Sequence, residues 1–208
     1  MALSWLRSSS SSSSTPKFKY DVFLSFRGDD TRNSFTSHLR KALDDKKIET
    51  FTDDKLERGD EISPSLLKAI EESRISVVIF SKDYASSRWC LEELVKILEC
   101  NEKSNQIVMP VFYGVEPTHI RNQTGDFADA FADHEQRFKE SLDKVQAWKD
   151  VLRQAANFSG WNSEAIKYVL ILFFIWENSD QCYSLCFCLS NLVLNTLRFN
   201  YTYYCFFT

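Results

Sequence analysis

Glycine is scarce in this chain. There are five, Gly28, Gly59, Gly114, Gly125 and Gly160, and they form neither G-x-G-x-x-G nor G-x-x-x-x-G-K-[ST]. The dinucleotide fingerprint and the phosphate-cradling P-loop are therefore both excluded. G-x-S-x-G and H-E-x-x-H are missing too, which removes nucleophile-elbow hydrolases and helix-borne zinc peptidases. The three histidines (His38, His119, His134) lack ligand-like spacing, and no C-x-x-C pair occurs among the six cysteines. A structural zinc site is not expected. Cys90 and Cys100 read as free, partly buried thiols in a reducing compartment. Neither sign of charge dominates: 25 basic against 29 acidic residues give a net of -4. That argues against nucleic acid as the main partner, because phosphate neutralisation needs a basic face.

What is present falls into three segments. Residues 1–17 hold no acid and an unbroken serine run from Ser8 to Ser14. Such a tract cannot bury enough apolar surface to offset its ordering entropy, so disorder is expected. A chloroplast transit peptide would share this composition and is the lesser alternative; no apolar stretch of a secretory signal is present. Residues 18–165 alternate apolar and amphipathic runs. Residues 166–208 change to Phe, Tyr, Cys, Leu, Ile and Asn in apolar runs broken by ENSD. Each run is shorter than the ~18–20 residues that span a bilayer. T- and A-rich codons would encode this tail, so it reads as translated non-coding sequence such as a retained intron. A membrane-associating tail is the competing reading, and sequencing spliced transcripts separates the two.

Within the body, strands are expected at Tyr20–Phe26, Ile48–Thr52, Ile75–Phe80 and Gln106–Tyr113, with Phe158–Trp161 a poorly marked fifth. Pro110 inside the fourth requires an edge, a bulge or an end. Helices are expected at Asn33–Asp45 (stripe Phe35, Leu39, Ala42, Leu43) and after Ser63, a cap followed by Pro64. Three more are expected: around Glu92–Glu99, over Phe127–Phe138 and over Leu142–Asn157. Strands rich in Val, Ile and Phe separated by helices imply βαβ crossovers. The expected class is α/β, a flavodoxin-like three-layer sandwich with a parallel sheet of four to five strands.

One stretch stands out for chemistry, SKDYASSRWCLEEL at Ser81–Leu94. It follows a buried strand and places Trp89 four residues before Glu93, on one helix face. Ligands of open α/β sheets bind outside the carboxyl ends of the strands. A phospho-receiver is the rival for this fold. Asp29 and Asp30 mimic its acid pair, but Asp83 comes late after the third strand and no Lys follows a convincing fifth.

YDVFLSFRGDDTR (Tyr20–Arg32), FTSHLRKAL (Phe35–Leu43), the run from Lys55 to Leu94 ending in WCLEEL, VMPVFYGVEPTHIRNQTGDFADAF (Val108–Phe131) and WKDVLRQAANFSGW (Trp148–Trp161) together resemble a plant Toll/interleukin-1 receptor (TIR) domain. The resemblance covers residues 18–165. It implies self-association and cleavage of NAD, as substrate and with no cofactor, at the nicotinamide–ribose bond. The products would be nicotinamide and ADP-ribose or its cyclic form. It places the catalytic glutamate at Glu93 and supporting groups at Arg27, Gly28, Arg58, Ser87 and Trp89. Self-association contacts would lie at Ser37, His38 and Gly125. The implied partners are itself and other TIR domains. The implied compartment is the cytoplasm, or the nucleus, and a membrane is not an expected partner.

Each position also has an ordinary explanation. Glu93 could be a solvated helix-face acid, as Glu92 is expected to be, and Trp89 a core cover. Arg27 could pair with Asp29 or Asp30 at the surface. Arg58 could sit in a mobile loop, or reach a neighbouring subunit's site. Ser37 and His38 could be merely solvated, Gly125 an ordinary turn glycine, and Asp44–Lys47 a solvated helix end. A non-catalytic adaptor working through TIR–TIR contact is the alternative function.

Overall fold

Runs rich in Val, Ile and Phe become the strands, and the polar amphipathic runs between them become the helices that cover them. The computed structural model describes residues 18–53, 62–163 and 166. The leader, the loop that carries Arg58 and the tail (Ile166 apart) lie outside the described residues. The chain divides at Glu164–Ala165 into two units, and the sheet with its helices belongs to the first. Among the described residues no helix is long and apolar enough to cross a membrane.

The strands are β1 (Tyr20–Phe26), β2 (Thr50–Thr52), β3 (Ser73–Phe80), β4 (Ile107–Phe112) and β5 (Trp161–Asn162). The helices are α1 (Gly28–Thr31), α2 (Ser37–Asp44), α3 (Pro64–Glu71), α4 (Arg88–Ser104), α5 (Pro117–Asn122), α6 (Asp126–Arg137) and α7 (Leu142–Ala155). All strand pairs are parallel, in the order β2-β1-β3-β4-β5. The chain moves outward from β1 to β2, then back across β1 to β3. Right-handed crossovers therefore put α2 on one face and α3 on the other. Phe23 of β1 and Val78 and Phe80 of β3 pack with Leu66 and Ile70 of α3, Leu91 and Leu94 of α4, and Trp148 of α7 in one core. The point where strand order reverses lies between β1 and β3, and their carboxyl ends form the crevice favoured for ligands.

Several expected elements differ in detail. The single helix over Asn33–Asp45 is broken: a wide π-type turn spans Arg32–Thr36, kinked at Ser34 (φ -129, ψ -105), and α2 begins only at Ser37. Hydroxyls explain the break, because they offer the backbone alternative bonds. Ser34 Oγ donates to the Thr31 carbonyl, and Ser37 Oγ donates to the Ser34 carbonyl. The buried residues here are Thr36, Leu39 and Leu43; Phe35 is half-buried and stacks on Tyr113 at 5.4 Å. The fifth strand is a two-residue piece that begins at Trp161, where the expected one ends. Gly160 leads into it, and a Cβ there would meet the Phe112 ring at 2.0 Å, so only glycine passes without a shift. Pro110 pairs beside Val78 of β3, while β5 reaches only Val111 and Phe112. Among the described residues, the outer side of β4 at Pro110 thus has no strand to bond. Helix α5 has no counterpart among the expected elements; Pro117 at its first turn and buried Ile120 account for it. The Ser63 cap is present, accepting from the Leu66 N–H at 3.2 Å.

Gln106, 1% exposed, ties three elements at the opposite end of the sheet. Its Nε2 donates to the carbonyls of Ile70 (2.6 Å) and Ser73 (2.7 Å), and its Oε1 accepts from Ser76 Oγ (3.0 Å). Gln106→Leu strands these buried polar groups and is expected to cost roughly 3 kcal/mol in denaturant unfolding. A loss well under about 1 kcal/mol would show that the groups find other partners.

Candidate active site

Ser25 interrupts the apolar run of β1 on the face shared with Phe23, and it is fully buried. A polar side chain there needs a partner, and α4 supplies it. Ser25 Oγ lies 2.7 Å from Glu93 Oε2 and 3.0 Å from the Tyr84 hydroxyl. Tyr84, also fully buried, donates to the Cys90 carbonyl at 3.0 Å. Glu93 is 6% exposed. Helical spacing explains this: Cys90 and Ile97, its neighbours three and four positions away, are buried with Leu94, so the acid falls within the apolar stripe of α4. Burial pushes its carboxyl up to about 8, with the Ser25 hydrogen bond opposing and nearby Asp53 adding to the rise. Burial also raises the Cys90 thiol, which sits 3.6 Å from the Phe26 carbonyl.

Around this carboxyl lies a narrow cleft lined by Arg27, Gly28, Arg32, Asp53, Ser87 and Trp89. Its cavity is about 20 Å³, room for one water and not for a nucleotide. Arg27 leaves β1 and pairs with exposed Asp29 at 2.8 Å, while its Nε is buried without a partner. Gly28 opens α1, and a Cβ there would press on the Arg32 guanidinium at 2.7 Å. Arg32 itself lies over the Phe26 ring at 5.5 Å. Ser87 caps α4, accepting from the Cys90 N–H at 3.3 Å. Asp30 accepts from the Asp83 N–H at 3.0 Å and so ties α1 to the loop after β3.

The structure thus brings Glu93, Arg27, Gly28, Ser87 and Trp89 to one place, and Arg58 lies outside the described residues. The idea that Glu93 is a solvated surface acid is corrected by its burial. Glu92 is corrected as well: its side chain is only 14% exposed, held by Lys144 at 2.7 Å and Arg88 at 3.5 Å. Ser37 and His38 stand elsewhere, exposed on α2, with His38 Nδ1 2.6 Å from the Ser34 carbonyl. Ser37 lines a wider groove of about 370 Å³ with Arg32, Arg40 and Lys41. Arg40 pairs with Asp44 and Lys41 with Asp45, on α2 or at its end. Gly125 precedes α6 with φ +61, a conformation that favours glycine. Ser25, Tyr84, Arg32 and Asp53 are site residues that sequence reasoning misses. A lone serine in an apolar strand is the available signal for the first, and position just past a strand's carboxyl end for the last. Among the described residues no three His, Cys, Asp or Glu side chains gather as a metal would need.

A family model described as TIR domain matches residues 19–173. The chain is similar to the disease resistance protein RPV1 of Vitis rotundifolia, 56% identical over 157 residues that make up 74% of this chain and 11% of that protein. It is 55% identical over 151 residues to the TMV resistance protein N of Nicotiana glutinosa, covering 72% of this chain and 13% of that protein. It therefore spans only 11% and 13% of these two relatives. Among solved structures, the TIR domains of the activated Roq1 resistosome directly recognizing the pathogen effector XopQ align with a TM-score of 0.65 at 50% identity. The alignment covers 76% of this chain and 98% of that one.

The raised carboxyl couples stability to pH. Between its ordinary value of 4.5 and about 8, the folded protein keeps a proton that the unfolded chain has lost. Stability therefore falls as pH rises through this window. Glu93→Gln, neutral at every pH, is expected to remove this share of the slope and to melt higher than the parent above pH ~8. Thermal denaturation across pH checks it; identical slopes for both proteins would contradict it.

Proposed function

The chain belongs to the TIR domain family, and on that premise we propose that it is an NAD glycohydrolase of plant immune signalling, active when copies associate. The single observation that carries this reading is the Glu93 carboxyl held beside an indole and two guanidinium groups at the carboxyl ends of β1 and β3. In NAD the nicotinamide nitrogen is cationic. When the C1′–N bond breaks, its electron pair goes to that nitrogen, and nicotinamide leaves as a neutral base. No strong general acid is required. The ribose becomes oxocarbenium-like, as in glycoside hydrolysis, and an ionised Glu93 stabilises that cation and holds the ribose hydroxyls. Water then adds to C1′ and loses a proton, giving ADP-ribose; attack by a group of the adenosine half gives a cyclic product. Trp89 offers a face for ring stacking, and Arg27 or Arg32 offers positive charge to the pyrophosphate.

The cleft is too small for a dinucleotide, so binding requires the rim to open. Sites of this sort are often completed by closure or assembly. Association through the α2 surface that carries Ser37 and His38, and through the region of Gly125, would couple opening to oligomer formation. The same small cleft also favours a second reading, a non-catalytic module that acts through TIR–TIR contact alone.

Nicotinamide release from NAD, followed over a range of protein concentrations, separates the two. Turnover per chain is expected to rise with concentration, and Glu93→Ala is expected to lower it by at least ~10²-fold. No release at any concentration supports the second reading. Unchanged turnover in Glu93→Ala removes that residue from the chemistry.

A further inference from the structure

We infer that Ser25 and Tyr84 are positioning residues that store Glu93 as a neutral acid while the cleft is closed, holding it out of the carboxylate form that the reaction needs. The functional half of this inference rests on the glycohydrolase reading; the protonation state does not.

Hydrogen counting carries it. Four oxygens stand in a row: Glu93 Oε2, Ser25 Oγ, the Tyr84 hydroxyl and the Cys90 carbonyl, separated by 2.7, 3.0 and 3.0 Å. Each of these contacts needs one hydrogen between its two oxygens. Ser25 and Tyr84 bring one each, and a carbonyl brings none. With Glu93 ionised, two hydrogens must serve three contacts. If Ser25 donates to the carboxylate and Tyr84 to the carbonyl, the two hydroxyl oxygens face each other bare. With Glu93 protonated the count closes. Its O–H donates to Ser25, Ser25 donates to Tyr84, and Tyr84 donates to the Cys90 carbonyl. Ser25 and Tyr84 are fully buried and Glu93 is 6% exposed, so solvent does little to relieve the repulsion of two oxygens that face each other bare.

The charged and titratable surroundings are Arg27 just after β1, Arg32 after α1, Asp53 past β2, Tyr84 after β3 and Cys90 on α4. Arg27 is engaged with Asp29, Asp53 repels a second negative charge, and burial keeps Tyr84 and Cys90 neutral. Burial of Glu93 acts in the same direction as the hydrogen count, whereas a hydrogen bond donated by Ser25 alone favours the carboxylate; Tyr84 counters it by engaging the Ser25 hydroxyl. Ionisation thus leaves one of the three contacts without a hydrogen, and the strain falls on the contact between Ser25 and Tyr84 when both hydroxyls donate outward. Opening of the rim and arrival of a cationic nicotinamide riboside favour that ionised form. Association and substrate binding would then release a proton from the site.

Tyr84→Phe isolates the effect. It keeps the ring packed edge-on against Phe80 at 5.0 Å and removes only the hydroxyl. Ser25 can then donate to the carboxylate without leaving a bare contact, so Glu93 should ionise more easily. In the full chain with ¹³C-labelled glutamate carboxyls, the Glu93 resonance is assigned by its loss in Glu93→Gln. Its midpoint is expected near pH 8 in the parent. In Tyr84→Phe it is expected about one pH unit lower, and the alkaline rise of kcat/KM for NAD should move with it. A parent midpoint in the ordinary glutamate range overturns the inference, and that result needs no variant to fold. A midpoint unmoved in Tyr84→Phe overturns it as well. Titration as expected in a protein that leaves NAD intact sustains the proton chain and rejects the glycohydrolase reading instead.

Discussion

A carboxyl buried against a serine hydroxyl joins α4 to the end of β1, and the geometry of the site follows from that contact. Burying an acid is unfavourable unless it is neutral or well paired. Here the two guanidinium groups of the rim line the cleft, while the carboxyl shares its hydrogen bond with neutral Ser25. The fold tolerates this because the core that α4 shares with the sheet is largely apolar and closely covered. Leu91, Leu94 and Ile97 of α4 are fully buried, and Phe23, Val78 and Phe80 meet the helix layer from the sheet.

Topology explains why the contact forms at this place. The reversal of strand order between β1 and β3 opens a crevice at their carboxyl ends. Arg27 and Gly28 leave β1 on one side of it, and Ser87, Trp89 and Glu93 follow β3 on the other. The Asp30–Asp83 bond keeps the two rims together, and the Ser87 cap sets where α4 starts and therefore where Glu93 points. At the far end of the sheet, Gln106 has an equivalent role, joining the end of α3 to the starts of β3 and β4.

Much of this arrangement is legible in the residues. Apolar runs mark four strands, Ser63–Pro64 marks the start of α3, and the spacing of Trp89 and Glu93 points to one face at the rim. Glu92 and Glu93 are chemically alike, yet the stripe Cys90, Leu94, Ile97 distinguishes the buried acid from its ion-paired neighbour. Other features are hidden for physical reasons. The break at Ser34 comes from hydroxyls competing for backbone carbonyls, which hydrophobic period does not register. β5 is two residues long, too short to show alternation. Tyr84 reads as one more aromatic, because its role depends on where its hydroxyl lands across 59 positions of sequence from Ser25.

The most direct measurement is a structure of the associated protein with an unreactive NAD analogue bound. Expected is a nicotinamide riboside seated between Trp89 and Glu93, with the Glu93 carboxyl within hydrogen-bond distance of the ribose and the pyrophosphate near Arg27 or Arg32. A dinucleotide bound away from the carboxyl ends of β1 and β3, or a Glu93 side chain turned from the sugar, would contradict the assignment.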